Sequence, residues 1–272
     1  MADGVATAEV VGVVGPDDVV AAPQLSLGER VQAMQNELDL PEFIVKDLLS
    51  VSGNDIVVIA DDSGSMNAVS DFKTHTTRWD ELRKTLTSLA KMLLVVDHSD
   101  GFNVSFLNGQ RGDGGAWHTI HRPEDVNALF RSFYPGGKTP LLSRIRPVLS
   151  GEWHPKGHGG ETEVLLIIMT DGEPSDCTFE QLRDAVRAKK GNCYVSFLMC
   201  TDEEDIVAKY NKYLDRIPGV DITDDYLSEK GEAERHGKNL GYFKWLAKMV
   251  LGGKLPQYDK LDEADKCKCV IS

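Results

Sequence analysis

Residues 56–60, Ile-Val-Val-Ile-Ala, run apolar without a break, and all but the last are β-branched. A strand with one wet face alternates polar and apolar side chains. A continuous run needs cover on both faces, as in a parallel sheet with helices on either side. Two further runs of this kind follow, Glu-Val-Leu-Leu-Ile-Ile-Met-Thr at 163–170 and Cys-Tyr-Val-Ser-Phe-Leu-Met-Cys at 193–200, with helical spacing in the stretches between. The predicted class is α/β: a Rossmann-like, doubly wound, mostly parallel sheet, with one antiparallel edge strand at 116–121.

The first run ends abruptly in Asp61-Asp62-Ser63-Gly64-Ser65-Met66. Asp61, Ser63 and Ser65 fall at i, i+2 and i+4, and Gly64 lets the backbone turn sharply between the serines. Three short oxygen-bearing side chains on a tight loop at the end of a central strand can converge on one hard cation. A polar Ser/Gly turn leaving a strand has the same composition, so this stretch alone leaves both readings open.

Two later segments add to it: Gly136-Gly137-Lys138-Thr139-Pro140-Leu141 and Met169-Thr170-Asp171-Gly172-Glu173-Pro174. With these in order, residues 53–250 resemble the von Willebrand factor type A (vWA) domain and its metal-ion-dependent adhesion site (MIDAS), whose DxSxS signature is completed by a later Thr and Asp. The resemblance implies a site of Asp61, Ser63, Ser65, Thr139 and Asp171. In it the hydroxyls of Ser63, Ser65 and Thr139 touch the metal, while Asp61 and Asp171 hold coordinated waters. The implied ion is Mg²⁺, with Mn²⁺ also suited to an all-oxygen site. Neutral donors leave the cation's charge available for an Asp or Glu carboxylate of a partner protein. Direct ligation by Asp171 would quench it, giving a weak and a strong state. The expected role is protein binding, as adaptor or scaffold, and not catalysis. Metal-assisted hydrolysis needs a poised base or nucleophile, and near the motifs only Glu173 and Lys138 are candidates. Asp62 is expected to point outward and strengthen the attraction for metal.

The chain has 272 residues, enough for one large α/β domain with extensions. A formal charge of −13 without any Lys/Arg block argues against nucleic acid as a partner. No signal-peptide pattern opens the sequence, and no apolar run is long enough to cross a bilayer. Five cysteines without paired spacing suit a reducing compartment, so the expected location is cytoplasmic. In that setting Asn103-Val104-Ser105 lies in a strand rather than at a glycosylation site, and Arg111-Gly112-Asp113 reads as a hairpin turn.

Four segments are expected: an arm over 1–24, a helical extension over 25–52, the vWA domain over 53–251, and a linker and tail over 252–272. Ser26 with Glu29 forms a capping box, and Pro41 opens a second helix. Helices are predicted from 80 to about 96, 123–133, 141–149, 178–190, 201–214 and 242–251, with a short strand at 220–222. Thr139 and Pro140 look like the cap and first turn of one helix, and Thr201 the cap of another. The helix at 242–251 is apolar almost all round, which suggests a face for a partner. His154 and His158 lie in a loop that lacks a third metal ligand.

The last residues, Cys267-Lys268-Cys269-Val270-Ile271-Ser272, match a CaaX box and resemble the tails of some Ras-type GTPases. That resemblance implies a farnesyl group on Cys269, a second acylation point at Cys267, and attachment as a peripheral protein to the cytoplasmic face of a membrane. A Ras-like nucleotide switch is the rival reading. It fails on the phosphate loop, where Ser132 stands in place of Gly, and on the guanine motif begun by Asn211-Lys212, where Leu214 replaces Asp. An accessory part of a multiprotein enzyme is a third possibility, without a paired Cys/His zinc pattern to support it.

Overall fold

A computed structural model of the chain describes residues 26–96, 101–109, 115–154 and 162–258. Its centre is a six-stranded sheet in the order β5 (His118–Ile120), β4 (Phe102–Phe106), β1 (Asp55–Ala60), β6 (Val164–Thr170), β7 (Cys193–Met199), β8 (Val220–Thr223). Every neighbouring pair is parallel except β4 and β5, which run antiparallel. This is the doubly wound class expected from the three apolar runs, with its antiparallel strand at the edge.

The unbroken apolar character of β1 follows from its place in the middle. Successive side chains point to opposite faces. Ile56, Val58 and Ala60 therefore join one core, while Val57 and Ile59 join the other. The first core is covered by α3 (Arg78–Val96), α4 (Pro123–Ser132) and α9 (Tyr242–Leu251). The second is covered by α5 (Leu141–Ser150), α6 (Phe179–Arg187) and α7 (Glu204–Leu214). Each large apolar side chain so covered contributes about 1.5–3 kcal/mol. Asn103 and Ser105 lie within buried β4, as the sequence led us to expect.

Two helices precede β1: α1 (Leu27–Leu38), capped by the Ser26–Glu29 box, and α2 (Glu42–Leu49). Their residues Met34, Leu38, Ile44, Val45 and Leu48 belong to the first core. Helix α2 lies against α9, whose other side meets β6, β7 and β8. This corrects the expectation of a partner-facing α9, since Trp245 through Leu251 are all buried within the chain's own layers. The apolar circumference serves a helix sandwiched between sheet and extension.

Two elements were not foreseen. A small hairpin of β2 (Val69–Asp71) and β3 (Thr76–Thr77) follows β1, and α8 (Tyr226–Arg235) precedes α9. Both are short or polar, with little periodicity to read. Among the described residues no helix is long and apolar enough to cross a membrane. Residues 1–24, Arg111, Gly112, Asp113, His158, Cys267 and Cys269 lie outside the described residues.

Candidate metal centre

Strand β1 pairs with β4 on one side and β6 on the other, so the winding reverses between β1 and β6. The crevice beyond their carboxyl ends is where such sheets collect ligands. Asp61 follows β1 directly, and Asp171 follows β6. The Asp61 amide donates to the Met169 carbonyl at 2.8 Å, continuing the ladder and holding the two loops side by side.

Ser63 and Ser65 come from the loop after Asp61, which closes into a 3-10 turn over Gly64–Asn67. Their hydroxyl oxygens lie 2.9 Å apart. The Ser65 hydroxyl donates to Asp171 Oδ1 at 2.7 Å, so in the Ser63–Ser65 contact Ser63 is left to donate. Asp61 accepts from the Ser63 amide at 2.7 Å and from the Thr170 hydroxyl at 2.6 Å. Protons are thus committed to carboxylates or neighbours, and lone pairs remain on the hydroxyl oxygens.

Thr139 arrives from a third loop. The Gly64 amide donates to the Gly137 carbonyl at 3.2 Å and the Gly136 amide to the Asp62 carbonyl at 2.7 Å, tying that loop to the serines. Gly137 has φ of +87°, and a side chain there would stand 2.9 Å from Asn108 Oδ1, so the position favours glycine on two counts. A Cβ placed on Gly172 would lie 3.7 Å from Thr139 Oγ1 and 4.0 Å from Ser65 Oγ. Both hydroxyls therefore face one small space beside Gly172, with Asp171 next to it in the chain. The structure brings Asp61, Ser63, Ser65, Thr139 and Asp171 together. The donor set is all oxygen and the space is spared a side chain, which fits a hard divalent cation.

Several expectations need correction. Thr139 does not cap α5, whose N-cap position is Pro140. Asp176 does that work from the loop after β6, accepting from the Leu142 amide at 3.1 Å and the Ser143 amide at 2.8 Å. Thr201 likewise stands outside α7, whose N-cap is Glu203, and accepts only the Glu203 amide at 3.2 Å. Asp62 points inward rather than out. It is fully buried, and its Oδ1 accepts from the Asn108 amide and side chain at 2.8 and 2.9 Å. Its Oδ2 is buried with no hydrogen-bond partner among the described residues.

The site is rich in buried negative charge. Burial pushes the Asp61 carboxyl up to about 6, against the pull of hydrogen bonds from Ser63 and Thr170. Burial also raises Asp62, moderated by Asn108. One cation in contact was not legible in the sequence: Arg78 at the start of α3. Its Nη1 lies 3.0 Å from Asp171 Oδ2, and its Nη2 lies 2.8 Å from Glu203. The pair with Asp171 joins positions 93 residues apart, and no local pattern reports such a distance. Arg78 also forms one wall of a groove of about 620 Å³ that Phe72, Tyr226, Leu227, Tyr242 and Trp245 help to line. Phe72 and Leu227 are 80% and 73% exposed at its rim.

No protein-family model and no curated protein matches this sequence. Solved structures do. The chain is similar to proximal thread matrix protein 1 from the mussel byssus, at 17% identity over 64% of this chain and 44% of that one, with a TM-score of 0.44. It is also similar to a von Willebrand factor type A protein from Catenulispora acidiphila, at 14% identity over 63% and 38%, with a TM-score of 0.39. A third is the conserved hypothetical protein BatB from Bacteroides thetaiotaomicron, at 15% identity over 54% and 66%, with a TM-score of 0.36. The chain spans less than half the length of the first two. The reading of the site rests on its own distances.

Proposed function

We propose that this chain is a divalent-metal-dependent protein-binding module that takes up an Asp or Glu carboxylate of a partner at the carboxyl end of β1 and β6. The observation that carries the reading is the meeting of the Ser63, Ser65 and Thr139 hydroxyls between two buried carboxylates, beside the space that Gly172 leaves open. Ser63, Ser65 and Thr139 would hold the ion directly, with Asp61 and Asp171 orienting its waters. When bound, Mg²⁺ or Mn²⁺ supplies positive charge that the neutral hydroxyls leave largely unspent, so an incoming carboxylate finds a partner there. Asp171 holds the Ser65 hydroxyl, and Asp61 fixes the loop that carries Ser63 through the Ser63 amide.

Binding is favoured over catalysis by the surroundings. Glu173, one of the two side chains weighed as a base, is paired with Lys209. A nucleotide switch has less support: Gly137-Lys138-Thr139 follows helix α4, whereas a phosphate loop leaves a strand. The test is retention of the protein on immobilised Asp-containing peptides in Mg²⁺ and in chelator. Retention in Mg²⁺ that chelator and Thr139→Ala both remove is expected; retention indifferent to both would end this reading.

If Ser272 is the encoded C-terminus, lipid on Cys269 and Cys267 would hold the module at the cytoplasmic face of a membrane. This part is carried by the motif alone. A Cys269→Ser variant that still partitions with membranes like the parent would remove it.

A further inference from the structure

Among the described residues Asp171 is the one carboxylate of the site in contact with a cation of the chain, and the way that cation is held suggests a purpose. The side chain of Asp171 is fully buried, and that of Arg78 is 12% exposed. Of the Asp171 oxygens, Oδ1 takes the Ser65 hydroxyl at 2.7 Å and Oδ2 takes Arg78 Nη1 at 3.0 Å. Both oxygens are engaged by groups from the β1–α3 segment. Turning the carboxylate toward an ion would break one contact or the other.

Arg78 itself has little freedom. Its amide donates to the Ala68 carbonyl at 2.9 Å. The next residue, Trp79, packs its ring 4.3 Å from that of Phe130 and 5.3 Å from that of Phe106, measured between centroids. The far side of the guanidinium is held by Glu203 at 2.8 Å, with Asp202 at 3.8 Å, both just before α7. A planar guanidinium can satisfy two carboxylates on two edges at once, which a lysine ammonium does less well. Arg78 therefore bridges a buried acid of the site to exposed acids outside it.

We propose that Arg78 is a positioning residue that holds the Asp171 carboxylate back from direct ligation, so that the bound ion keeps its pull on a partner carboxylate. The proposal rests on the metal-binding reading above and deepens it. It implies a trade. A fixed positive charge close to the ion weakens metal binding, and in exchange the charge of Asp171 is spent on Arg78 and not on the ion. Glu203 tunes the balance, because the more of the guanidinium it occupies, the less is left for Asp171.

The test uses Mn²⁺ alone on the full chain, with affinity read by calorimetry and the number of bound waters read by water-proton relaxation. Arg78→Gln should bind Mn²⁺ about tenfold tighter, as expected when a neighbouring positive charge is removed. It should also hold one water fewer, because Asp171 enters the coordination shell. Arg78→Lys should keep both values near those of the parent. Removing Arg78 leaves a buried acid without its cation, which costs stability in the metal-free protein, so Glu203→Gln provides a second route. This exposed change should shift affinity the other way, weakening Mn²⁺ binding about threefold with the water count unchanged. Unaltered affinity and hydration in both Arg78→Gln and Glu203→Gln would overturn the role assigned to Arg78 while leaving the metal site standing. No Mn²⁺ binding by the parent protein would overturn both.

Discussion

Strands β1 and β6 lie side by side, and the acids at their two ends meet opposite treatment. At the amino end, Glu163 sits against Lys254 and Tyr194, and the hydrogen bond from Lys254 holds its carboxyl below the usual range. At the carboxyl end, Asp61 and Asp62 are fully buried and both are raised by that burial, Asp61 to about 6. Glu163 is met by the chain's own Lys254. The carboxyl end keeps a surplus of negative charge in a place where such charge is costly. A fold gains nothing from that surplus by itself, and the cation of the proposed function would offset it.

The comparison is broken most directly with metal. Saturating Mg²⁺, at a hundredfold excess over its Kd, should stabilise the parent by about 2.7 kcal/mol in thermal or denaturant unfolding. Asp61→Ala should show none of this while keeping its far-ultraviolet spectrum. Equal stabilisation of both proteins would show that the acidic end is not where the ion sits.

Acid sharpens the contrast, because the two ends respond with opposite sign. A carboxyl raised in the folded state favours folding more as it becomes protonated. In chelator, Asp61 should therefore add roughly 1.4 kcal/mol of stability as pH falls from 7 to 5. The lowered Glu163 contributes stability above its unfolded value and loses it only on further acidification. An Asp61→Asn variant should flatten the first response and leave the second. A parent whose stability falls monotonically from pH 7 to 5 would contradict the assignment.

A satisfied acid at the same rim gives a third comparison. Asp176 caps α5 with two amide hydrogen bonds, so Asp176→Ala should cost about 1 kcal/mol. Because α5 begins two residues after Thr139, the variant should also loosen metal binding; a change in stability without any change in affinity would separate the cap from the site. The smallest effect belongs to the amino end. Lys254 and Glu163 form a partly exposed pair, and Lys254→Met should cost about 0.5 kcal/mol, with metal binding untouched.

Much of the scaffold was legible because burial on both faces leaves an unmistakable trace in strands such as Ile56–Ala60 and Val164–Thr170. The placement of Asp61, Ser63, Ser65 and Asp171 at the strand ends was legible for a related reason. Short polar side chains directly after such strands have one place to go. What escaped was either weakly patterned or long-range. Helix α8 has a polar sequence with only Glu229 and Ala233 fully buried, so its periodicity is faint. Arg78 reads as an ordinary charged residue at the head of an amphipathic helix, and only the folded chain sets it against Asp171. The inward turn of Asp62 depends on Asn108, 46 positions away. Thr before Pro has the look of a helix start, but the α5 amides are capped by Asp176, far along the chain.

Tyr258 closes the described chain with its hydroxyl 2.8 Å from Asp47 of α2, and Lys254 beside it reaches Glu163 at the foot of β6. The exit toward residue 259 is therefore at the pole of the molecule opposite Asp61 and Asp171. A partner approaching the ends of β1 and β6 would therefore meet a face turned away from Tyr258.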